Sequence, residues 1–72
     1  MNASQQAQIE RNFTYHPPKP GQLERYTQIR EQAKAFALLI AEITPVSREQ
    51  SLALTYLENS VMMANAAIAR NE

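Results

Sequence analysis

The chain has 72 residues, no cysteine, and seven Lys and Arg against seven Asp and Glu. That length makes one domain, which buries only about 60% of the surface its unfolded chain exposes. With no thiol to supply a disulfide or a thiolate metal site, association with further copies is the remaining source of stability, and charge balance excludes the broad attraction to duplex nucleic acid that a basic protein has.

The first stretch, MNASQQAQIE, lacks the basic-then-apolar pattern of a signal peptide, and no apolar run approaches the length of a membrane span. The expectation is a soluble, intracellular protein. Residues 1–12 read as a short helix or a tail, with Ser4 as a cap and Ala7, Gln8, Ile9 and Glu10 as fair helix formers. A helix this short is marginal without something to pack against.

Residues 13–21 hold three prolines and the one glycine of the chain, which predicts an extended connector. Each residue before a proline is driven out of the helical region, so His16, Pro17 and Lys19 are held extended and Tyr15 and His16 are displayed on a stiff backbone. From Gln22 to Ile43 the pattern turns helical, with Ile29, Ala33, Phe36, Ile40 and Ile43 as a seam and Tyr26 and Ala37 at its edge. Leu38 is left on the far side.

Pro45 ends that helix, and Ser47 followed three residues later by Gln50 predicts a capping box at the start of a second long helix, residues 47–70. Leu54, Leu57, Val61, Ala64 and Ile68 draw its seam, while Leu52, Tyr56 and Met63 fall nearly opposite, where a lone hairpin should be polar. Two helices of roughly 33 Å, joined by so short a link, fold back as an antiparallel hairpin. The predicted fold is therefore all-α: a short N-terminal helix, a proline-rich connector and a long two-helix hairpin that oligomerises through its second stripe.

Catalysis has little to work with, because there is one His, no Cys and no Asp. His16 has no partner at a metal-ligand spacing, so neither a metal nor a cofactor is expected. Binding is better supplied. Tyr26, Arg30 and Lys34 line up at i, i+4 and i+8; Lys34 has Glu31 one turn back, whereas Arg30 has no acidic residue at i±3 or i±4 and is free to meet a phosphate. Such a row also suits a plain solvated face. The connector shifts the balance, since Tyr15, His16 and Lys19 add stacking groups and donors of the kind that hold a nucleotide. Near the chain's end, ANAAIA lets a second helix approach closely, and Asn65 within it is either half-solvated at a fraying end, a polar register device or a ligand contact.

FTYHPP from Phe13, RYTQIREQAK from Arg25 and SREQSLALTYLENSVMMANAAIAR from Ser47 together resemble the phage anti-CBASS cyclic-oligonucleotide sponge family, whose helical-hairpin domain also occurs in anti-Thoeris proteins. The resemblance covers nearly the whole chain after residue 11. It implies a homo-oligomer, a hexamer in the best-known members, that binds cyclic dinucleotides and cyclic trinucleotides in the host cytoplasm without cleaving them. Tyr15 would stack on a base, Arg30 and Lys34 would meet the phosphodiester, and Arg70 would serve a separate cyclic trinucleotide site where symmetry copies converge, near Asn65. Tyr56 and Met63 depart from the family pattern, which commonly has Lys and Trp there, and both fall on the second stripe. Two other readings fit the residues. Twin apolar stripes alone predict a helical oligomerisation or adaptor module with no small-molecule ligand, and a small nucleic-acid-binding regulator lacks the basic recognition helix it would need.

Overall fold

A computed structural model describes residues 1–72 as three helices and no strand: α1 (Ala3–Asn12), α2 (Gln22–Ile43) and α3 (Arg48–Asn71). The boundaries fall within a residue or two of those predicted, but the first cap does not. Asn2, not Ser4, caps α1, its side chain accepting from the Gln5 amide at 2.7 Å. Asparagine has the reach to satisfy that orphan N–H. Gly21 precedes α2 with φ 84°, and a Cβ there would meet nothing within 4 Å. The backbone angle, not crowding, calls for glycine.

At the start of α3 the Ser47 hydroxyl accepts from the Gln50 amide at 3.1 Å, as the capping box predicts. The return arm is absent. Gln50 Nε2 instead donates to the Thr44 carbonyl at 3.1 Å, the Thr44 hydroxyl at 3.0 Å and the Ala41 carbonyl at 3.3 Å. The last carbonyls of α2 have no partner within their own helix, and a donor amide carried across the turn satisfies them.

α2 and α3 pack antiparallel, with Ala41 and Thr44 near Gln50 at one end and Arg25 near Glu72 at the other. The seam of α3 is as predicted: Leu54, Leu57, Val61, Ala64 and Ile68 are all half-buried. That of α2 is rotated, because Tyr26, Ile29, Ala33, Ala37 and Ile40 are half-buried while Phe36 and Ile43 are exposed. Alanines at 33 and 37 let the helices approach, which turns the small-residue edge inward and leaves the larger side chains outside. Lys34 makes no ion pair with Glu31, and the one ion pair of the chain joins Arg25 to Glu72.

No hydrophobic side chain is fully buried. Tyr56 and Met63 are 63% and 62% exposed, as the second stripe predicts, though Leu52 of the same stripe is half-buried. The molecule measures 47 × 32 × 13 Å, one helix layer thick, with a radius of gyration of 15.8 Å against about 11 Å for a compact chain of this length. Its accessible surface, 5803 Å², exceeds the roughly 4,500 Å² expected of a folded monomer of this mass. Both faces of the layer are hollowed along the seam. One hollow of 470 Å³ lies by Ile29, Phe36 and Ala64, and another of 680 Å³ lies by Ala37, Leu38, Leu54 and Met62, with Ala33, Leu57 and Val61 shared between them. No helix is long and apolar enough to cross a membrane.

Candidate functional site

On the face that carries the larger hollow, toward the open end of the hairpin, lies a groove of 580 Å³, within the range of small-ligand pockets. Three segments build it. The connector, with Asn12 at the end of α1 just before it, supplies Thr14, Tyr15 and His16; α2 supplies Leu23, Tyr26, Thr27 and Arg30; α3 supplies Asn65, Ala66, Ala69 and Arg70. The helical spacing of Tyr26 and Arg30 puts both on one flank, and the alanines at 66 and 69 lower the opposite wall.

The lining holds two arginines, two tyrosines and a histidine but no carboxylate. In a chain of zero formal charge, this is a local excess of positive charge. Arg30 Nη2 donates to the Thr27 hydroxyl at 3.3 Å and has no acidic partner, which leaves most of its fork of donors open. Tyr15 is 81% exposed, so one face of its ring is available to a flat ligand. His16 Nε2–H donates to the Arg11 carbonyl at 2.8 Å, which fixes the ring and directs Nδ1 away from that bond. Asn65 Oδ1 is buried without a hydrogen-bond donor. A buried acceptor left unpaired is costly, and a donor from a ligand or a neighbouring chain would satisfy it.

Of the residues singled out in the sequence, the fold therefore brings Tyr15, His16, Tyr26 and Arg30 into one groove, together with Asn65 and Arg70. Arg70 is half-buried and also borders a second, polar groove of 510 Å³ between α1 and α3, beside Arg11, Ser4 and Gln8. Two residues lie elsewhere. Lys34 sits one turn beyond Arg30 on the rim of the apolar hollow, with Leu38 and Met62. Lys19 turns to the end of α3, where its ammonium donates to the main-chain oxygen of Glu72.

Beside the groove stands a cluster for which the sequence offered no motif. Arg25 donates through both terminal guanidinium nitrogens to the Glu72 carboxylate, with Nη1 to Oε2 at 2.7 Å, and Gln22 Nε2 donates to Glu72 Oε1 at 3.3 Å. The hydrogen bonds from Arg25, then the one from Gln22, and the charges of Arg25 and Lys19 hold the Glu72 carboxyl down to about 2. The antiparallel register sets residue 70 against residues 22–26, and matching opposite charges across it would have paired Arg25 with Glu72.

A three-helix chain in which two long helices form a hairpin with a cationic, aromatic groove at its open end falls in the class of small all-α hairpin domains. The family described as Acb2/Tad1, hairpin domain, matches residues 5–69, nearly the entire chain, and the protein belongs to that family. Neither a search of curated proteins nor one of solved structures returned a match.

Proposed function

We propose that the protein binds cyclic dinucleotides and cyclic trinucleotides and holds them uncleaved, withdrawing second messengers from CBASS-type antiviral signalling in the host cytoplasm. The observation that carries this reading is the groove's lining: exposed Tyr15 beside Tyr26, with Arg30 and Arg70 and no carboxylate. Aromatic rings stack on bases of any kind, and arginine meets a phosphodiester with paired donors. Family membership agrees with capture of a small signalling molecule. Sequestration without cleavage is the reading that the lining supports, since it holds no carboxylate and offers His16 as its one side-chain base. Homo-oligomerisation completes the proposal. A single layer hollowed on both faces leaves apolar surface that further copies would cover, and the hexamer of related proteins is the assembly we expect.

A thermal-shift panel of cyclic dinucleotides, cyclic trinucleotides and a linear dinucleotide tests the reading. A ligand at 100 times its dissociation constant stabilises a folded protein by about 2.7 kcal/mol. The cyclic ligands should raise the melting temperature and, after heat release, be recovered intact. Cleaved product accumulating with time would overturn sequestration. The two apolar hollows also suit an adaptor module with no small ligand, and a panel without any shift would favour it.

A further inference from the structure

The cluster at the open end involves residues that do not line the groove. Gln22 is the one buried residue of the chain, 3% exposed, and it joins two segments: its Oε1 accepts the Lys19 amide at 2.9 Å while its Nε2 donates to Glu72 at 3.3 Å. Arg25 closes on Glu72 from the next turn of α2, with side chains 45% and 39% exposed. An ion pair that exposed adds little to global stability. What the cluster supplies is position.

The connector is the segment that needs positioning. Tyr15 has almost no support from its surroundings, and its place is set by ties at His16 and Lys19. The His16 ring, next after Tyr15, donates through Nε2–H back to the Arg11 carbonyl at 2.8 Å, and Arg11 Nη1 donates to Asn71 Oδ1 at 3.3 Å. Downstream, Lys19 is held through its amide by Gln22 and through its ammonium by Glu72. Between the ties stand Pro17 and Pro18, whose ring-locked φ angles leave few conformers. Fixing both ends of so stiff a segment fixes what it carries.

We propose that Gln22, Arg25 and Glu72 are positioning residues, a latch that closes the end of α3 on the connector and holds Tyr15 and His16 at the groove without touching the ligand. The proposal rests on reading the groove as a cyclic-nucleotide site. It also gives Lys19 a part in the latch in place of a ligand contact.

Glu72→Gln in the full chain removes the charge and keeps the size. In the ligand-free variant, hydrogen exchange within residues 13–21 should quicken at the Lys19 amide, which Gln22 Oε1 holds, while the α2–α3 seam keeps its protection. If the competent arrangement falls to about a tenth of the population, the dissociation constant for cyclic di-AMP or cyclic di-GMP, whichever the wild type binds, rises about tenfold. Arg25→Gln should act alike, and Arg25→Lys, which keeps a cation against the Glu72 carboxylate, should recover protection and affinity in part. Tyr15→Ala, by contrast, should lose affinity with exchange elsewhere in the connector unchanged. Unaltered exchange over 13–21 in Glu72→Gln would overturn the latch, as would unaltered affinity or a loss of protection spread evenly over α2 and α3. A wild type that binds no cyclic dinucleotide and no cyclic trinucleotide would refute the functional reading alone, and the exchange data would still decide whether the latch exists.

Discussion

Two glutamines stand at opposite ends of the hairpin and close it in different ways. Gln50 ties the turn, reaching back only to Thr44 and Ala41, while Gln22 ties the open end to Glu72, 50 residues away in the chain. At the turn, neighbours in sequence are neighbours in space, and the bonds serve the fold. The open end gathers α1, the connector, α2 and α3, and the groove lies there. A hairpin of this kind is shaped by local contacts at one end and put to use by distant ones at the other.

The sharpest way to test that division is ligand affinity. Tyr15→Ala and Arg30→Ala should each weaken cyclic dinucleotides by about 1–3 kcal/mol, the worth of a lost stack or charge-assisted contact, whereas Gln50→Ala should leave affinity unchanged. Arg70→Ala refines the test because Arg70 borders two grooves. Titration calorimetry should show it weakening cyclic trinucleotides more than cyclic dinucleotides; equal losses for both classes would mean one shared groove.

Smaller effects belong to the turn. Ser47→Ala removes the cap of α3 and should cost about 1 kcal/mol of stability by thermal melting, with affinity intact at temperatures where the chain is folded. Gln50→Ala should cost about 0.5–1.5 kcal/mol by the same measure. A loss of binding in either would break the comparison.

The smallest effect at neutral pH is the charge state of Glu72, which changes only in acid. Its carboxyl lies at about 2 in the fold against an ordinary 4.5, so the stabilisation it brings is complete above about 4.5 and lost as pH falls toward 2. The carboxylate resonance of Glu72, followed by NMR, should titrate in that low range. Titration at its ordinary value would mean that Arg25 and Gln22 do not hold it.

The same division governs how much could be read from residues alone. Helix limits, the Ser47 cap and the seam of α3 follow from spacing within a turn or two, and the open stripe of Tyr56 and Met63 follows from the same periodicity. Tyr15, His16, Tyr26 and Arg30 stood out by residue type alone, and only the fold shows that they line one groove. Phe36 and Ile43 misled, since periodicity weights the larger side chain while the close approach of two helices favours Ala37. The contact of Lys19 was opaque for another reason: its acceptor is a main-chain oxygen of Glu72, 53 residues away, which no charge pattern marks. Gln22 carries no charge or apolar signal, and only the folded chain gives it a role.

Chain entropy adds an order of events. The turn between α2 and α3 closes a loop of a few residues, while Lys19, Gln22 and Arg25 must find Glu72 after most of the chain is already in place. Loop closure grows costlier with separation, so α2 and α3 are expected to zip from Gln50 outward and to meet at Glu72 last. The groove is then the final part to form and the first to fray. A ligand that spans the connector and both long helices would act as a late clasp on folding, slowing the unzipping of the hairpin at the end where it begins; rapid mixing into denaturant with and without ligand should show that delay in the unfolding rate.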